Sequence, residues 1–69
     1  MIDRSAAGKI AYRRESLKGY HGPQTVRVLE VNVTTALVEI LADERNPDNV
    51  GQRDYSQRCE LTEMEHDQT

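Results

Sequence analysis

Residues 25–42, TVRVLEVNVTTALVEILA, constrain the fold of this chain more than any other segment. The run holds five valines, one isoleucine and three threonines, and β-branched side chains fit the pleated, half-buried surface of a sheet. We predict two antiparallel strands, at about residues 25–32 and 36–42, joined through residues 32–35. A helix that starts at Thr35, over ALVEILADER, is the competing interpretation, with Asn46-Pro47 as its stop.

Strict alternation of apolar residues breaks down inside the first of these strands. Val26 and Val28 fall on one face, whereas Leu29, Val31 and Val33 fall on the other. Because strand side chains alternate with a period of two, the strand is either buried on both faces or bulged near Leu29. Both cases favour a curved sheet.

Residues 6–18 are predicted to form a helix on local propensity. Ala, Arg, Glu, Leu and Lys dominate them, Asp3 or Ser5 could cap the start, and Gly19 stands where a helix C′ residue belongs. The alternation of Ile10 and Tyr12 indicates a strand instead.

The predicted fold class is therefore a small β-rich α+β domain, with an N-terminal helix followed by a curved antiparallel sheet of about three strands. The last strand is expected within residues 55–63. An all-β SH3-like barrel is the alternative. Residues 1–62 are predicted to form a single small domain, and residues 63–69 an acidic flexible tail.

The size of the chain limits its stability. A domain of 69 residues buries only about 60% of the surface that its unfolded chain exposes. Cys59 has no partner for a disulfide within the chain, and Cys59, His21 and His66 lack zinc-finger spacing. No cofactor or metal is expected. Self-association is the remaining source of stability, so a monomer and a homo-oligomer, such as a homodimer, both stay open.

Membrane and secretion signals are not evident. No run approaches the roughly 20 apolar residues of a membrane span, and the start, MIDRSAAGKI, lacks the apolar core of a signal peptide. The sequence thus predicts a cytoplasmic protein with no membrane partner.

Motifs for catalysis are missing as well. The sequence has no GxGxxG, Walker, HExxH or CxxC pattern. His21 lies in a Gly-Pro turn, where solvation is expected, and Cys59 is expected to be a small, half-buried core residue. The many acidic pairs are typical of a solvated face. We do not expect an enzyme.

Charge divides the chain into two parts. Residues 1–27 hold six Lys or Arg and two Asp or Glu, whereas residues 28–69 hold three and ten. Such asymmetry indicates either a charged partner or two halves that face each other in the fold or in a dimer.

Each part supplies a hypothetical binding surface. Basic residues with interleaved tyrosines suit phosphates and stacked bases, and the candidate nucleic-acid site consists of Tyr12, Arg13, Arg14, Lys18, Tyr20 and Arg27. Acidic residues suit a basic protein surface, and the candidate protein-binding site consists of Asp43, Glu44, Asp48, Asp54 and Glu60.

Two resemblances bear on the fold. The segment 22–40 resembles the strand pair of small SH3-like barrels, including ribosomal KOW-type modules, which implies an all-β fold. Arg13-Arg14, Glu15-Ser16 and VRVLEV at 26–31 resemble the carbon-storage regulator family of RNA-binding dimers. Neither family's function is carried over to this chain.

The expected function is that of a small, non-enzymatic protein-binding module of regulatory, inhibitory or adaptor type. A small RNA- or DNA-binding protein with an N-terminal basic face is the first alternative. A structural subunit of a larger assembly is the second.

Overall fold

The computed structural model describes residues 2–64, which form one five-stranded antiparallel sheet. The strands lie in the order β4-β3-β2-β1-β5 across the sheet. Their bounds are β1 (Ile10–Arg13), β2 (Gln24–Val31), β3 (Thr35–Asp43), β4 (Arg53–Gln57) and β5 (Leu61–Glu63). Three single turns of 3-10 helix complete the described part: Arg4–Ala6, Pro47–Asn49 and Arg58–Glu60.

The predicted N-terminal helix is wrong, and with it the α+β fold class and the three-strand sheet. Residues 10–13 instead form β1, which pairs with β2 on one side and with β5 on the other. Gly8 has a φ of 87°, which no right-handed helix accommodates. Hydrogen bonding on both edges of β1 thus overrides the helical propensity of residues 6–18, and the described chain is nearly all β.

The two central strands are confirmed. β2 and β3 pair antiparallel, so the helix that starts at Thr35 is excluded. Their register shifts between Val28 and Glu30, which places a bulge at Leu29, one of the two alternatives that the broken alternation left open. A second shift, between Thr25 and Val26, was not predicted.

Small aliphatic side chains make up the core. Val26, Val28 and Val38 are fully buried on the two central strands, and Leu61 of β5 closes the core from the far edge. Three alanines, Ala6, Ala11 and Ala36, are also fully buried, with Ile2 and Ile40 nearly so. Because the sequence has no Phe or Trp, close packing of these short side chains has to supply most of the apolar burial.

Arg58 makes hydrogen bonds to backbone carbonyl groups at the end of the sheet where the β2–β3 turn lies. Its Nε and Nη2 donate to the carbonyl oxygen of Ile2 at 3.0 and 2.8 Å. Its Nη1 donates to the carbonyl oxygens of Val33 at 2.9 Å and Asn32 at 3.3 Å. One guanidinium therefore ties the N-terminal segment to the turn between the central strands.

The predicted tail begins inside the sheet. Glu63 ends β5, where Lys9 lies 3.1 Å from its carboxylate. Residues 65–69 lie outside the described residues.

A matched pair of leucines tests this core. Leu61→Ala should lower the free energy of unfolding by about 2–5 kcal/mol, because it removes a fully buried side chain and leaves a cavity. Leu17→Ala, at a side chain that is 93% exposed, should change it by less than about 0.5 kcal/mol. Urea unfolding followed by circular dichroism measures both. Equal midpoints for the two variants would contradict the packing described above.

Candidate functional site

Two loops meet at the end of the sheet opposite Arg58. The first loop (residues 14–23) joins β1 to β2, and the second loop (residues 44–52) joins β3 to β4. A Cβ atom on Gly22 would lie 2.7 Å from the Cβ of Arg45, so only glycine permits this approach. The backbone N–H of Glu44 also donates to the carbonyl oxygen of Pro23 at 3.2 Å. The loops are therefore in direct contact.

A buried polar network lies beneath the loops and takes one residue from each of four adjacent strands. Arg13 of β1 donates through Nη1 to Oε1 of Gln24 on β2 at 3.0 Å. Gln24 donates through Nε2 to Oδ2 of Asp43 on β3 at 2.8 Å. Arg13 Nη2 also pairs with Oδ2 of Asp54 on β4 at 3.2 Å. Arg13, Gln24 and Asp43 are each at most 7% exposed, whereas the side chain of Asp54, at the edge of the network, is 54% exposed.

Asp43 is the most heavily bonded member of this network. Burial alone would raise the pKa of its carboxyl group, but four hydrogen bonds to the ionised form outweigh that effect and hold the pKa well below its usual value of 3.8. The donors are the side chains of Gln24 and Asn49 and the backbone N–H groups of Arg45 and Asn46, all at 2.8 or 2.9 Å. Asp43 thereby organises the start of the second loop.

A cleft of about 310 Å³ opens between the two loops, above this network. Gln24 and Asp54 of the network line this cleft, as does Asn49, which donates to Asp43. The lining as a whole is polar, with one tyrosine and one isoleucine: Tyr20, His21, Gln24, Ile40, Asn49, Gln52, Arg53 and Asp54.

Exposed apolar side chains are found on both loops. Leu17 is 93% exposed and Tyr20 is 77% exposed on the first loop, and Val50 is 47% exposed on the second. Of these three residues, Tyr20 also lines the cleft.

The predicted nucleic-acid residues do not converge on one face. Arg13 is buried in the network, whereas Arg14 and Lys18 are exposed on the first loop. Tyr12 and Arg27 lie on the outer face of the sheet, away from the core. Tyr20 alone among the six lines the cleft.

Arg27 also sits in a row of alternating charge on the outer face. Glu39 is its partner in the β2–β3 register, and Arg53 is the partner of Glu39 in the β3–β4 register. Alternating signs reduce the local positive potential that phosphate binding requires.

The predicted acidic residues are divided between the interior and the surface. Asp43 is buried in the network, and Asp54 pairs with Arg13 but is 54% exposed. Glu60 accepts from Ser56 Oγ at 3.0 Å and from the backbone N–H of Gln57 at 3.3 Å. Glu44 and Asp48 are exposed on the second loop.

The ion pairs explain part of the charge asymmetry. Within residues 2–64 there are three of them, and each joins a residue of segment 1–27 to one of segment 28–69. They are Lys9–Glu63, Arg13–Asp54 and Glu15–Arg45. The two oppositely charged parts of the sequence therefore neutralise each other in part within the fold.

Three further sequence expectations can be compared with the structure. Cys59 is exposed, so its expected place in the core is wrong. His21 is half-buried, with Nδ1 2.8 Å from the carbonyl oxygen of Gly22, and it is less solvated than expected. His66 lies outside the described residues.

Neither a metal cluster nor a membrane helix is found in residues 2–64. No three His, Cys, Asp or Glu side chains of that segment are grouped so that they could hold a metal ion. Likewise, none of its helices has the length and apolar character needed to cross a membrane.

Comparisons with known proteins give no match for this chain, whether with protein-family models, with curated proteins or with solved structures. The resemblances to SH3-like barrels and to carbon-storage regulators therefore remain predictions.

The sequence contains a signal for the buried network that the predictions above did not use. Gln24 stands two residues before Val26 and four before Val28, and a period of two places all three side chains on the core face. A polar residue in such a position needs hydrogen-bonding partners inside the protein. Its partners come from other strands, so their identity could not be read from the local pattern.

Asp43 makes the fold dependent on pH. Because its pKa is lower in the folded than in the unfolded chain, its carboxylate stabilises the fold fully above about pH 4, and this stabilisation is lost as the pH falls further. Asp43→Asn should lower the free energy of unfolding at pH 7 by about 2–3 kcal/mol, since the new amide group would face four donors.

Denaturant unfolding between about pH 7 and pH 2 checks this prediction, over the range in which carboxyl groups titrate. The difference between the wild type and Asp43→Asn should stay constant down to about pH 4 and then narrow. Asp48→Asn, at an exposed aspartate of the same loop, is the control and should change stability by less than about 0.5 kcal/mol. If the difference in free energy of unfolding between the wild type and Asp43→Asn grew below about pH 4, Asp43 would not be the group with the lowered pKa.

Proposed function

We propose that this chain is a non-enzymatic protein-binding module that contacts its partner through the two-loop end of the sheet. The observation that carries the proposal is the exposure of Leu17, Tyr20 and Val50 beside a polar cleft. Residues that dominate binding energy at protein interfaces are enriched in tyrosine and cluster around well-packed pockets. Binding residues are also disproportionately carried on loops that a rigid scaffold positions.

The loops are held in place before any partner arrives, which supports the proposal. In the first loop, the backbone N–H of Ser16 donates to the carbonyl oxygen of His21 at 3.2 Å, and the N–H of His21 donates to Ser16 Oγ at 3.2 Å. In the second loop, Asp43 accepts from the N–H groups of Arg45 and Asn46. A surface that is already ordered loses less conformational entropy on binding.

Fewer of the five predicted acidic residues are free to attract a basic partner than the sequence indicates. Asp43 is buried, and Asp54 and Glu60 have partners within the protein, so Glu44 and Asp48 are the two members of the predicted acidic set that are exposed on the second loop. The apolar side chains of the loops therefore contribute more of the proposed interface than a general acidic surface does. The identity of the partner would decide whether the module has a regulatory, an inhibitory or an adaptor role.

A photo-crosslinking experiment with two matched tyrosines tests the proposal. Benzoylphenylalanine is placed at Tyr20, on the first loop, or at Tyr55, which is 62% exposed on β4. After irradiation in cells of the source organism, position 20 should give a discrete protein adduct, and position 55 should not. The partner is then identified by mass spectrometry and purified.

Affinity measurements with the purified partner complete the test. Tyr20→Ala should raise Kd by at least about 10-fold, the effect expected at an interface hot spot, whereas Tyr55→Ala should leave it within about 3-fold. Adducts that disappear on nuclease treatment would favour the nucleic-acid alternative, and adducts only between copies of this chain would favour an assembly subunit. Either outcome would overturn the proposal, as would an unchanged Kd for Tyr20→Ala.

A further inference from the structure

We infer that the cleft between the two loops binds a basic side chain, lysine or arginine, of the partner protein. This inference rests on the proposed function and adds the chemistry of the group that the partner inserts. It follows from the directions of the hydrogen bonds around the cleft and from the charges beneath it.

Two of the three amide side chains that line the cleft, Asn49 and Gln52, use their N–H groups within the second loop and on Asp43. Asn49 donates through Nδ2 to the carboxylate of Asp43 at 2.8 Å, and Gln52 donates through Nε2 to the carbonyl oxygen of Asp48 at 3.1 Å. Both acceptors lack a proton to donate, so chemistry fixes which end of each amide faces them. The Oδ1 atom of Asn49 and the Oε1 atom of Gln52 consequently remain as acceptors in a wall built by these residues.

His21 adds a third acceptor. Its Nδ1 lies 2.8 Å from the carbonyl oxygen of Gly22, and a carbonyl accepts only, so Nδ1 carries the hydrogen. In the neutral imidazole the other nitrogen, Nε2, then holds a lone pair. Acceptors on three lining residues match the donor-only heads of lysine and arginine.

The charge below the cleft has the sign that such a group needs. The network contains one guanidinium, Arg13, and two carboxylates, the buried Asp43 and the exposed Asp54, which leaves one excess negative charge. Asp54 itself lines the cleft. Low-dielectric walls strengthen the field of such charges, and an entering cation is favoured.

Two further lining residues, Tyr20 and Arg53, affect the binding of a cation in opposite directions. Tyr20 offers a largely exposed ring, which attracts cations through its face. Arg53 also lines the cleft and opposes cation entry, but it is exposed to solvent, which screens its charge. Its charge should therefore weaken cation binding without reversing the preference.

Small probes test the inference before any partner has been identified. The 15N–1H spectra of the whole chain are titrated with N-acetyl-arginine-N-methylamide, N-acetyl-lysine-N-methylamide or N-acetyl-glutamate-N-methylamide at constant ionic strength. The side-chain amide signals of Asn49 and Gln52 should shift and saturate with a basic probe, at Kd values on the order of millimolar, as expected for so small a ligand. The glutamate probe should not shift them.

The same substitution, arginine to glutamine, is expected to change the affinity for the basic probes at one position and not at another. Arg53→Gln should tighten binding of the basic probes by about 2-fold or more, because it removes the opposing charge from the cleft wall. Arg27→Gln is the matched control, since Arg27 also stands opposite Glu39 but does not line the cleft, and it should leave the Kd unchanged. Gln52→Met removes one acceptor and should weaken binding.

The outcomes separate this inference from the proposed function. Stronger binding of the glutamate probe, no shift with any probe, or equal effects of the two arginine variants would overturn the basic-side-chain inference. Crosslinking of a protein partner at position 20 would still support the proposed function in each of those cases. Binding of the basic probes without any partner crosslink would leave a cation-binding cleft and remove the protein-binding role.

Discussion

The chain of hydrogen bonds from Arg13 through Gln24 to Asp43 is the interaction on which the rest of the structure depends. It joins the ends of β1, β2 and β3, and the pair between Arg13 and Asp54 extends it to β4. An apolar set of the same volume would often stabilise a fold equally well or better. We therefore expect the network to contribute less to stability than to geometry, because it joins the strand ends from which the two loops start.

Function and fold are connected through Asp43 in particular. Its carboxylate accepts from the backbone at the start of the second loop and from Asn49, which forms part of the cleft wall. Together with the close contact of Gly22 and Arg45, this arrangement sets the width of the cleft. The same residues that complete the sheet thus shape the surface proposed to bind a partner.

The sequence predicted those parts of the fold that depend on local pattern. The β-branched run indicated the central hairpin, and the broken alternation indicated the bulge at Leu29. Prediction failed at residues 6–18, where the helical propensity of single residues is outweighed by pairing with β2 and β5. That pairing depends on β5, about 50 residues away, and no local window contains it.

The candidate site was predictable only in part for the same reason. Tyr20 was singled out as a stacking residue of a nucleic-acid site, and the structure places it in the lining of the cleft. Asp43 was placed on an acidic surface and is buried, and the pairing of the exposed Asp54 with Arg13 was not predicted, because sequence shows charge without showing partners. Four donors enclose Asp43, and Arg13 pairs with Asp54. The contribution of Arg58, which binds backbone carbonyls and no carboxylate within residues 2–64, has no sequence signature.

The central claim is that the polar network, which holds the second loop, and the contacts between the two loops keep both loops, and hence the cleft, in one conformation before binding. Backbone 15N relaxation of the free protein measures this directly on the ps–ns timescale. The account predicts order parameters of about 0.85 for the first and second loops, equal to those of the strands. Values below about 0.6 in either loop would show flexible loops, and would contradict a cleft that exists before its partner arrives.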